Sequence, residues 1–195
     1  MSYYAVRIGR TPGIYTTWDE CKNQIFKFSG AVYKSFPTKE EAEDFMEAGR
    51  EKELPEDYAI AYVDGSFNEA AGVYGCGVTV TYHGKTEEFT ASGNNPLSAS
   101  MRNVAGEILG AQKAAAYAAE NGIKDLVIYY DYAGIEQWAT GSWQRNKPET
   151  ELYYLTMQYL MQKVNIYFVK VKGHTGVEGN ERADQLAKQA VGIEE

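Results

Sequence analysis

The sequence predicts an α/β fold, a mixed sheet flanked by helices, preceded by a small β-rich α+β module. From residue 58 onward, apolar runs of strand length alternate with longer helical patterns in the order β-β-β-α-β-α-α-β-α. Before residue 49, short alternating runs and two helix-start signals form a separate and smaller pattern. We therefore assign residues 1–48 to a first domain, 49–57 to a linker and 58–195 to a second domain.

The first domain is expected to contain short strands and two helices. "YYAVRIG" and "AVYKSF" have the pattern of strands, and "PGIY" is typical of a turn that enters a short strand. Thr17 and Glu20 have the spacing of a capping box, which predicts a helix over "DECKNQIFKF". Thr38 and Glu41 repeat this spacing before "EEAEDFMEAG". The next segment, "GREKELPED", is polar, charged and interrupted by proline, as linkers are.

The second domain is expected to alternate strands and helices. The strand "YAIAYVDGS" is predicted to end at Asp64, and the hairpin "GCGVTVTYHGKTEEFTAS" turns at His83 and Gly84. An Ala-rich helix, "NVAGEILGAQKAAAYAAENG", stops at Asn121 and Gly122. The nearly all-apolar "DLVIYYD" indicates a strand buried on both faces. The remaining pattern predicts a short helix within "YAGIEQWATGSW", a helix over "ETELYYLTMQYLMQKV", a strand over "NIYFVKV" and a helix over "GNERADQLAKQAV".

The charge is unevenly distributed. The formal net charge of -8 argues against a nucleic-acid partner for the chain taken as a whole. Residues 1–39, however, hold six Lys/Arg against two Asp/Glu, whereas residues 40–57 hold two against nine. Local fields matter more for binding than the total, so the basic segment is the part suited to a nucleic acid.

Membrane insertion and disulfide chemistry are not expected. No apolar run approaches the roughly 20 residues of a membrane span, and the N-terminal residues lack the apolar core of a signal peptide. Cys21 and Cys76 have no metal-type spacing and are expected to be reduced, partly buried thiols. We therefore expect a cytoplasmic protein without a membrane partner.

Four acids occur where burial is expected. Asp64 and Asp131 close long apolar strands, and Glu107 and Asp184 lie among apolar residues of two helices. No salt-bridge partner is evident for them in the sequence, so they require a compensating charge. Carboxylate oxygens favour Mg²⁺ or Mn²⁺ over Zn²⁺. The four acids therefore predict a divalent metal site.

Each acid also has an ordinary structural explanation. Asp64 could cap a turn in "DGS", and Asp131 could cap the next helix. Glu107 could be a glutamate favoured by the helix dipole, and Asp184 a solvated helix acid. Four such residues in this order of elements favour one shared site.

On these residues the chain resembles type 1 ribonuclease H. "YVDGS", "NVAGEILGA", "IYYDYAGIEQW" and "GHTGVEGNERADQLA" are similar to the four motif blocks of that family, over residues 58–192. "YYAVRIGRTPGIYTTWDECKNQIFKFSGAVYKSFPTKEEAEDF" is similar to the hybrid-binding domain of ribonucleases H, which is related to viroplasmin. The resemblance implies a ribonuclease H-like mixed five-stranded sheet flanked by helices, preceded by a small hybrid-binding domain.

The resemblance also implies an activity, the hydrolysis of the RNA strand of RNA/DNA hybrids to leave 5′-phosphate and 3′-hydroxyl ends. Two Mg²⁺ ions would be used, with Mn²⁺ as the alternative metal. Asp64 would bridge both ions, and Asp131 would share that role with the scissile phosphate. Glu107 would hold the leaving-group metal near the RNA 2′-hydroxyls, and Asp184 the nucleophile-side metal.

His174 corresponds in the resemblance to a histidine on a mobile loop that assists proton transfer or product release. Histidine suits that role because it titrates near neutrality. Gly173, Gly176 and Gly179 would allow the loop to move. A surface histidine in a glycine-rich turn is the alternative for His174, and His83 is expected to be a plain turn residue.

Substrate contacts are implied in both domains. In the second domain they are Gly65, Ser66 and Asn103 at the 2′-hydroxyls and Trp138 in the DNA-strand channel. In the first domain they are Tyr4, Trp18, Tyr33 and Lys34, of which Trp18 and Tyr4 have a core position as the alternative. Val104 and Ser35 stand where the family often has a polar amide and a lysine.

The expected partner is an RNA/DNA hybrid, with double-stranded RNA as a further ligand of the first domain, and the protein is expected to be a monomer. Two other hypotheses stay open. One is a binding protein that holds hybrid or double-stranded RNA without cutting it. The other is a different member of the fold superfamily, such as an integrase or resolvase, which would use other acid spacings.

Overall fold

A computed structural model describes residues 2–47, 54–171 and 178–193. The chain divides into two compact units, Met1–Glu53 with Thr140–Gln144 and Leu54–Ala139 with Arg145–Glu195. Each unit has its own sheet. No helix within the described ranges is long and apolar enough to cross a membrane.

The first unit is a three-stranded antiparallel sheet, in the order β2-β1-β3, with two helices. Its elements are β1 Tyr3–Ile8, β2 Gly13–Tyr15, α1 Trp18–Ile25, β3 Val32–Phe36 and α2 Lys39–Glu47. Its buried apolar residues are Ala5, Val6, Cys21, Val32 and Ala42. The predicted capping box is present at α1, where Thr17 and Glu20 satisfy each other's backbone N–H groups. The helix ends three residues earlier than predicted, close to Lys27, whose φ of 56° is left-handed.

Residues 140–144 belong to the first unit, and hydrogen bonds connect them to it. Arg7 Nη1 donates to Ser142 Oγ (3.2 Å), and Trp143 Nε1 donates to the carbonyl of Ala31 (3.1 Å).

The second unit is a five-stranded mixed sheet in the order β6-β5-β4-β7-β8. Its strands are β4 Ala59–Asn68, β5 Val73–Tyr82, β6 Lys85–Gly93, β7 Asp125–Tyr130 and β8 Asn165–Lys170. Its helices are α3 Pro96–Ala99, α4 Asn103–Glu120, α5 Gly134–Ala139, α6 Pro148–Met161 and α7 Glu178–Ala190. Strands β4, β5 and β6 pair antiparallel, and β4, β7 and β8 pair parallel. The expected fold class is confirmed, including the hairpin turn, where His83 and Gly84 have φ of 49° and 76°.

Two details differ from the expectation. Strand β4 does not end at Asp64 but continues to Asn68, because its pairing with β5 runs on to Val73. The short helix α3 was not predicted. It starts at Pro96 after Asn95, whose side chain accepts a hydrogen bond from Leu97 N, and four residues are too few to show a helical period.

Two helices approach opposite faces of β5 through glycines. A Cβ atom at Gly77 would lie 2.0 Å from the carbonyl oxygen of Ala183 in α7. A Cβ atom at Gly106 of α4 would lie 2.0 Å from the carbonyl oxygen of Gly75 and 2.8 Å from Gly65 Cα. Real Cβ atoms are not found this close to backbone atoms, so these glycines allow backbone-to-backbone packing of helix on strand.

We expect Gly106→Ala to lower the free energy of unfolding by about 2 kcal/mol or more, because the added methyl meets backbone that cannot move aside. Gly110→Ala, one turn further along α4, is the matched control, since its Cβ would be 3.3 Å from the Val63 side chain. We expect a change within about 1 kcal/mol there, because alanine's higher helix propensity offsets the crowding. Urea unfolding measures both. Equal effects of the two substitutions would contradict the backbone packing.

Candidate active site

The register of β4 and β7 brings two aspartates together. The last parallel pair between these strands is Tyr62 with Tyr129, whose rings stack 4.9 Å apart. Asp64 and Asp131 each follow two residues later. Because side chains alternate along a strand, Asp64 lies on the face of β4 that carries Tyr62, and Asp131 is the first residue after β7. The carboxylates therefore meet where β4 and β7 separate.

The packing of α4 brings Glu107 to the same place. A Cβ atom at Gly65 would lie 2.3 Å from both the Asn103 carbonyl oxygen and the Glu107 nitrogen, so the helix rests directly on the backbone beside Asp64. Ligand oxygens of Asp64, Glu107 and Asp131 all lie within 4.8 Å of one another. Three of the four predicted acids thus form one cluster.

The cluster strongly perturbs the protonation of Asp64 and Glu107. Burial raises the pKa of Asp64 to about 6. Hydrogen bonds from Glu107 and from Gly65 N, at 2.7 Å, stabilise the ionised carboxylate and partly oppose this rise. Glu107 is 2% exposed, and burial followed by the charges of Asp64 and Asp131 raises its pKa well above the ordinary range. A protonated Glu107 can donate to Asp64, while its Oε2 has no hydrogen-bond partner among the described residues. Bound protons therefore neutralise part of the negative charge that a cation would otherwise neutralise.

The donor set fits a hard divalent cation. All the clustered ligand atoms are carboxylate oxygens, the donors that Mg²⁺ and Mn²⁺ prefer. The buried Glu107 Oε2, which accepts no hydrogen bond from the described residues, is a carboxylate donor of the same kind. The geometry and the chemistry of the cluster both agree with the predicted metal site.

Asp184 lies outside this group of three. Its carboxylate pairs with Lys188 Nζ at 2.8 Å, one helical turn away in α7. The expectation that it lacked a partner was wrong, although the i, i+4 spacing could have revealed the pair. Asp184 remains close enough for its charge to raise the pKa of Asp64. It therefore adjoins the cluster without joining it.

The predicted loop residues have different outcomes. His174, Gly173 and Gly176 lie outside the described residues. Gly179 is not a loop residue but part of α7, and a Cβ atom there would lie 2.3 Å from the ring of Tyr62. Close packing, rather than loop motion, explains this glycine. His83 is the hairpin residue expected, with Nε2 2.8 Å from Asp57.

Three of the four candidate substrate residues of the second unit flank the acids. Gly65 and Ser66 continue β4 beyond Asp64, and Asn103 opens α4 against Gly65. Trp138 lies on α5, with its ring 5.7 Å from that of Tyr132.

Sequence reasoning missed Arg102, which precedes α4 with a left-handed φ of 57°. Its guanidinium pairs with Glu69 (3.0 Å) and lies 5.5 Å from the Phe67 ring. Nothing in the sequence signals that backbone conformation, although an arginine beside Asn103 could have drawn attention.

The candidate contacts of the first unit form an aromatic cluster. The Trp18 ring lies 5.8 Å from that of Tyr4 and 6.0 Å from that of Tyr33. Trp18 is 44% exposed and Tyr33 40% exposed, so a core position for Trp18 is excluded. Lys34 follows Tyr33 on β3, and the pairing of β1 with β3 places Tyr4 opposite Ser35. We call Tyr4, Trp18 and Tyr33 the aromatic triad.

Comparisons with known proteins match both units. Residues 2–46 match the family model described as "Ribonuclease H1 N-terminal domain", and residues 56–192 match the model described as "RNase H". Ribonuclease H1 of Homo sapiens is 26% identical over 253 residues, covering 96% of this chain and 88% of that protein. Ribonuclease H of Francisella philomiragia is 30% identical over 145 residues, covering 68% of this chain and 90% of that protein.

A similar solved structure is that of LC11-RNase H1 in complex with an RNA/DNA hybrid. The TM-score is 0.56 at 22% identity, covering 69% of this chain and 96% of that one. At this identity the likeness concerns the fold, and it includes the five-stranded sheet and its helices.

The raised pKa of Asp64 predicts a pH-dependent gain in stability for Asp64→Asn in metal-free protein. The folded pKa of about 6 exceeds the unfolded value of about 3.9, so the folded state binds the proton more tightly. Stability is therefore lost as pH rises from about 4 to about 6. The side-chain amide of the Asp64→Asn variant does not titrate, so the variant keeps this stability. We expect the substitution to raise the free energy of unfolding by up to about 3 kcal/mol at pH 7.5 and by little at pH 4.

Urea unfolding in EDTA measures this difference. Asp57→Asn is the control, and we expect it to lower the free energy of unfolding at neutral pH rather than raise it. The reason is that hydrogen bonding to His83 lowers the pKa of Asp57, so its ionised form stabilises the folded state. A pH-independent gain for Asp64→Asn would contradict the assignment. Added Mg²⁺ should stabilise the wild type and leave Asp64→Asn nearly unchanged.

Proposed function

The chain belongs to the ribonuclease H family, and from this membership we propose that it hydrolyses the RNA strand of RNA/DNA hybrids at the clustered carboxylates. The observation that carries the proposal is the group of Asp64, Glu107 and Asp131, whose ligand oxygens lie within 4.8 Å. Three carboxylates at this spacing are costly without a cation. A binding protein that only holds the hybrid has no use for such a cluster.

The metal is proposed to be Mg²⁺, with two ions held between these acids and the substrate phosphate. Bound there, the ions would activate a water and stabilise the leaving 3′ oxygen. Asp64 has the central position, since it contacts Glu107 and its pKa responds to the charges of Asp131 and Asp184. Asp184 would contribute on release from Lys188, its partner at 2.8 Å. His174 is proposed to assist proton transfer or product release.

The first unit is proposed to bind the hybrid. Trp18 and Tyr33 of the aromatic triad provide exposed rings. Lys34, the residue after Tyr33 on β3, provides a cation for a phosphate, with its Nζ 5.5 Å from the Phe36 ring. The net positive charge of residues 1–39 supports this assignment within an acidic chain. Ring stacking and phosphate contacts carry little sequence information, so binding should tolerate any hybrid sequence, and double-stranded RNA is a second proposed ligand.

We expect Asp131→Asn to reduce cleavage of an end-labelled RNA/DNA hybrid in Mg²⁺ by more than about 100-fold. Loss of a residue that only hydrogen-bonds a metal ligand already reduces metal affinity or activity about 10- to 100-fold, and Asp131 is proposed to be a ligand itself. Asp125→Asn, at the opposite end of β7, is the matched control and should cut nearly normally. The RNA strand alone should be cut, and double-stranded DNA and RNA should remain intact. EDTA should abolish cleavage by the wild type.

The assay also separates the rival functions. Tight hybrid binding by folded wild-type protein without strand cutting would identify a binding protein. Preferred cutting of double-stranded DNA would indicate an integrase- or resolvase-like enzyme.

We expect Trp18→Ala in the full chain to weaken hybrid binding roughly 5- to 150-fold, the equivalent of about 1–3 kcal/mol of base stacking. Fluorescence anisotropy in EDTA measures binding without cleavage. Phe26→Ala is the matched control, because Phe26 is 56% exposed in the same unit but makes no ring contact with the triad. The idea is wrong if both substitutions weaken binding equally. Lys34→Ala should reduce the salt dependence of binding by about one unit of slope.

A further inference from the structure

Helix α6 has two apolar faces, and the second unit covers only one of them. The inward face carries Tyr153, Met157 and Leu160, which are buried in the core. Leu152 and Leu155 lie on another face and are 64% and 56% exposed. A helix at a protein surface normally turns polar residues outward, and a helix that is apolar on all sides is normally buried. The fold of one copy therefore leaves the outward face of α6 without a role.

The exposed apolar residues of α6 form one stripe. Leu152, Leu155 and Tyr159 follow the spacing i, i+3 and i+7, and Tyr159 is also 56% exposed. This is the spacing of positions a, d and a of a heptad repeat, the seam along which two helices pack. The residues extend over about 10 Å of helix, at 1.5 Å per residue. We call these three residues the α6 stripe.

A recess opens beside the stripe. Its volume is about 190 Å³, and it lies where α4 and α6 adjoin, lined among others by Met101, Ile108, Leu109 and Leu152. In packed helices, a side chain of one helix enters a space between side chains of the other. The recess gives a side chain of a helix packed on the stripe room beside Leu152.

The charges that flank the stripe have opposite signs at the two ends of α6. Glu149 lies in the first turn, and the exposed Lys163 follows the last turn. In the heptad that contains the stripe both occupy position e, and e residues face each other across antiparallel helices. Among the described residues, neither side chain has an ion-pair partner. Lys163 Nζ lies 4.3 Å from the centre of the Tyr159 ring, beside the stripe.

This arrangement is complementary to a second copy of itself in antiparallel orientation. Such a copy sets Leu155 of each chain against Tyr159 of the other, and Glu149 of each chain against Lys163 of the other. Every contact then occurs twice, as two-fold symmetry requires. A parallel copy would bring the two acidic first turns together and align the helix dipoles, which is unfavourable.

A charged polymer or surface is a poorer match for this face. Glu149 and Glu151 make the first turn of α6 acidic, so it repels a phosphate backbone or an anionic lipid surface. The exposed leucines of the stripe, by contrast, require an apolar partner surface.

We propose that the protein forms a two-fold symmetric dimer through the α6 stripe, in place of the monomer expected from the sequence. A contact made by one helix involves fewer than the roughly 20–30 residues a side of a stable interface, so we expect a dissociation constant in the micromolar range. No candidate site residue lies on α6, so the dimer does not depend on the proposed function.

Sedimentation equilibrium of the full chain, from about 1 to 500 µM, measures the dimer. Leu155→Gln keeps a good helix former but removes an apolar contact from both halves of the seam, and we expect it to weaken association at least about tenfold. Leu54→Gln is the matched control and should leave association unchanged. Leu54 is an exposed leucine of the same unit that lies off α6. Circular dichroism and urea unfolding check that both variants are folded.

A charge exchange tests the orientation of the two helices. Glu149→Lys and Lys163→Glu each create like-charge pairs twice in the dimer, and each should weaken association about three- to tenfold at low salt. The double variant restores opposite charges across an antiparallel pair, so it should dimerise within about twofold of the wild type.

Three results would overturn the proposal. One is a wild type that stays monomeric throughout this concentration range, including one whose α6 stripe binds a different protein. Another is a dimer that Leu155→Gln leaves intact, since it would use another surface. The third is weakening by the single charge exchanges without restoration by the double variant, because antiparallel pairing requires that restoration. None of these measurements involves strand cleavage, so failure of the dimer and failure of the proposed function are distinguishable.

Discussion

The direct contact of the α4 backbone with β4 and β5 is the constraint on which the site depends. Gly65 and Gly106 leave no side chain between the helix and the strands: an added Cβ at Gly65 would lie 2.3 Å from α4 backbone, and one at Gly106 would lie 2.0 Å from the Gly75 carbonyl oxygen. This packing places the Glu107 nitrogen beside the residue after Asp64. A larger residue at any of these glycines would move the helix outward and with it one carboxylate of three. The glycines thus set the spacing of the acids, because without side chains they let α4 lie directly on the strands.

That spacing is unfavourable in the absence of a cation. Burial raises the pKa values of Asp64 and Glu107, and mutual repulsion adds to this, so the metal-free protein retains protons at the site. Metal binding must displace those protons and should strengthen as pH rises. Repulsion among the carboxylates lowers the stability of the metal-free protein. A divalent ion relieves this repulsion, and the group therefore binds it more strongly than separate carboxylates would.

The two units divide the work by charge and chemistry. The acidic second unit holds the carboxylates, which repel a phosphate backbone unless cations are present. The first unit has exposed rings and a basic segment, the features on which the proposed hybrid binding depends. In the proposed function, affinity comes from the first unit and the reaction from the second.

Except for the short helix α3, the sequence alone determined the order of strands and helices, and it singled out the acids and the aromatic and basic candidates of the first unit, because periodicity, capping pairs and motif spacing are local properties. Only the tertiary structure decided which acids meet. Asp64 and Asp131 come together through strand register, Glu107 through glycine packing, and Asp184 stays with Lys188. The left-handed Arg102 and the close packing of Gly179 on the Tyr62 ring also depend on contacts between distant segments, which no local pattern encodes.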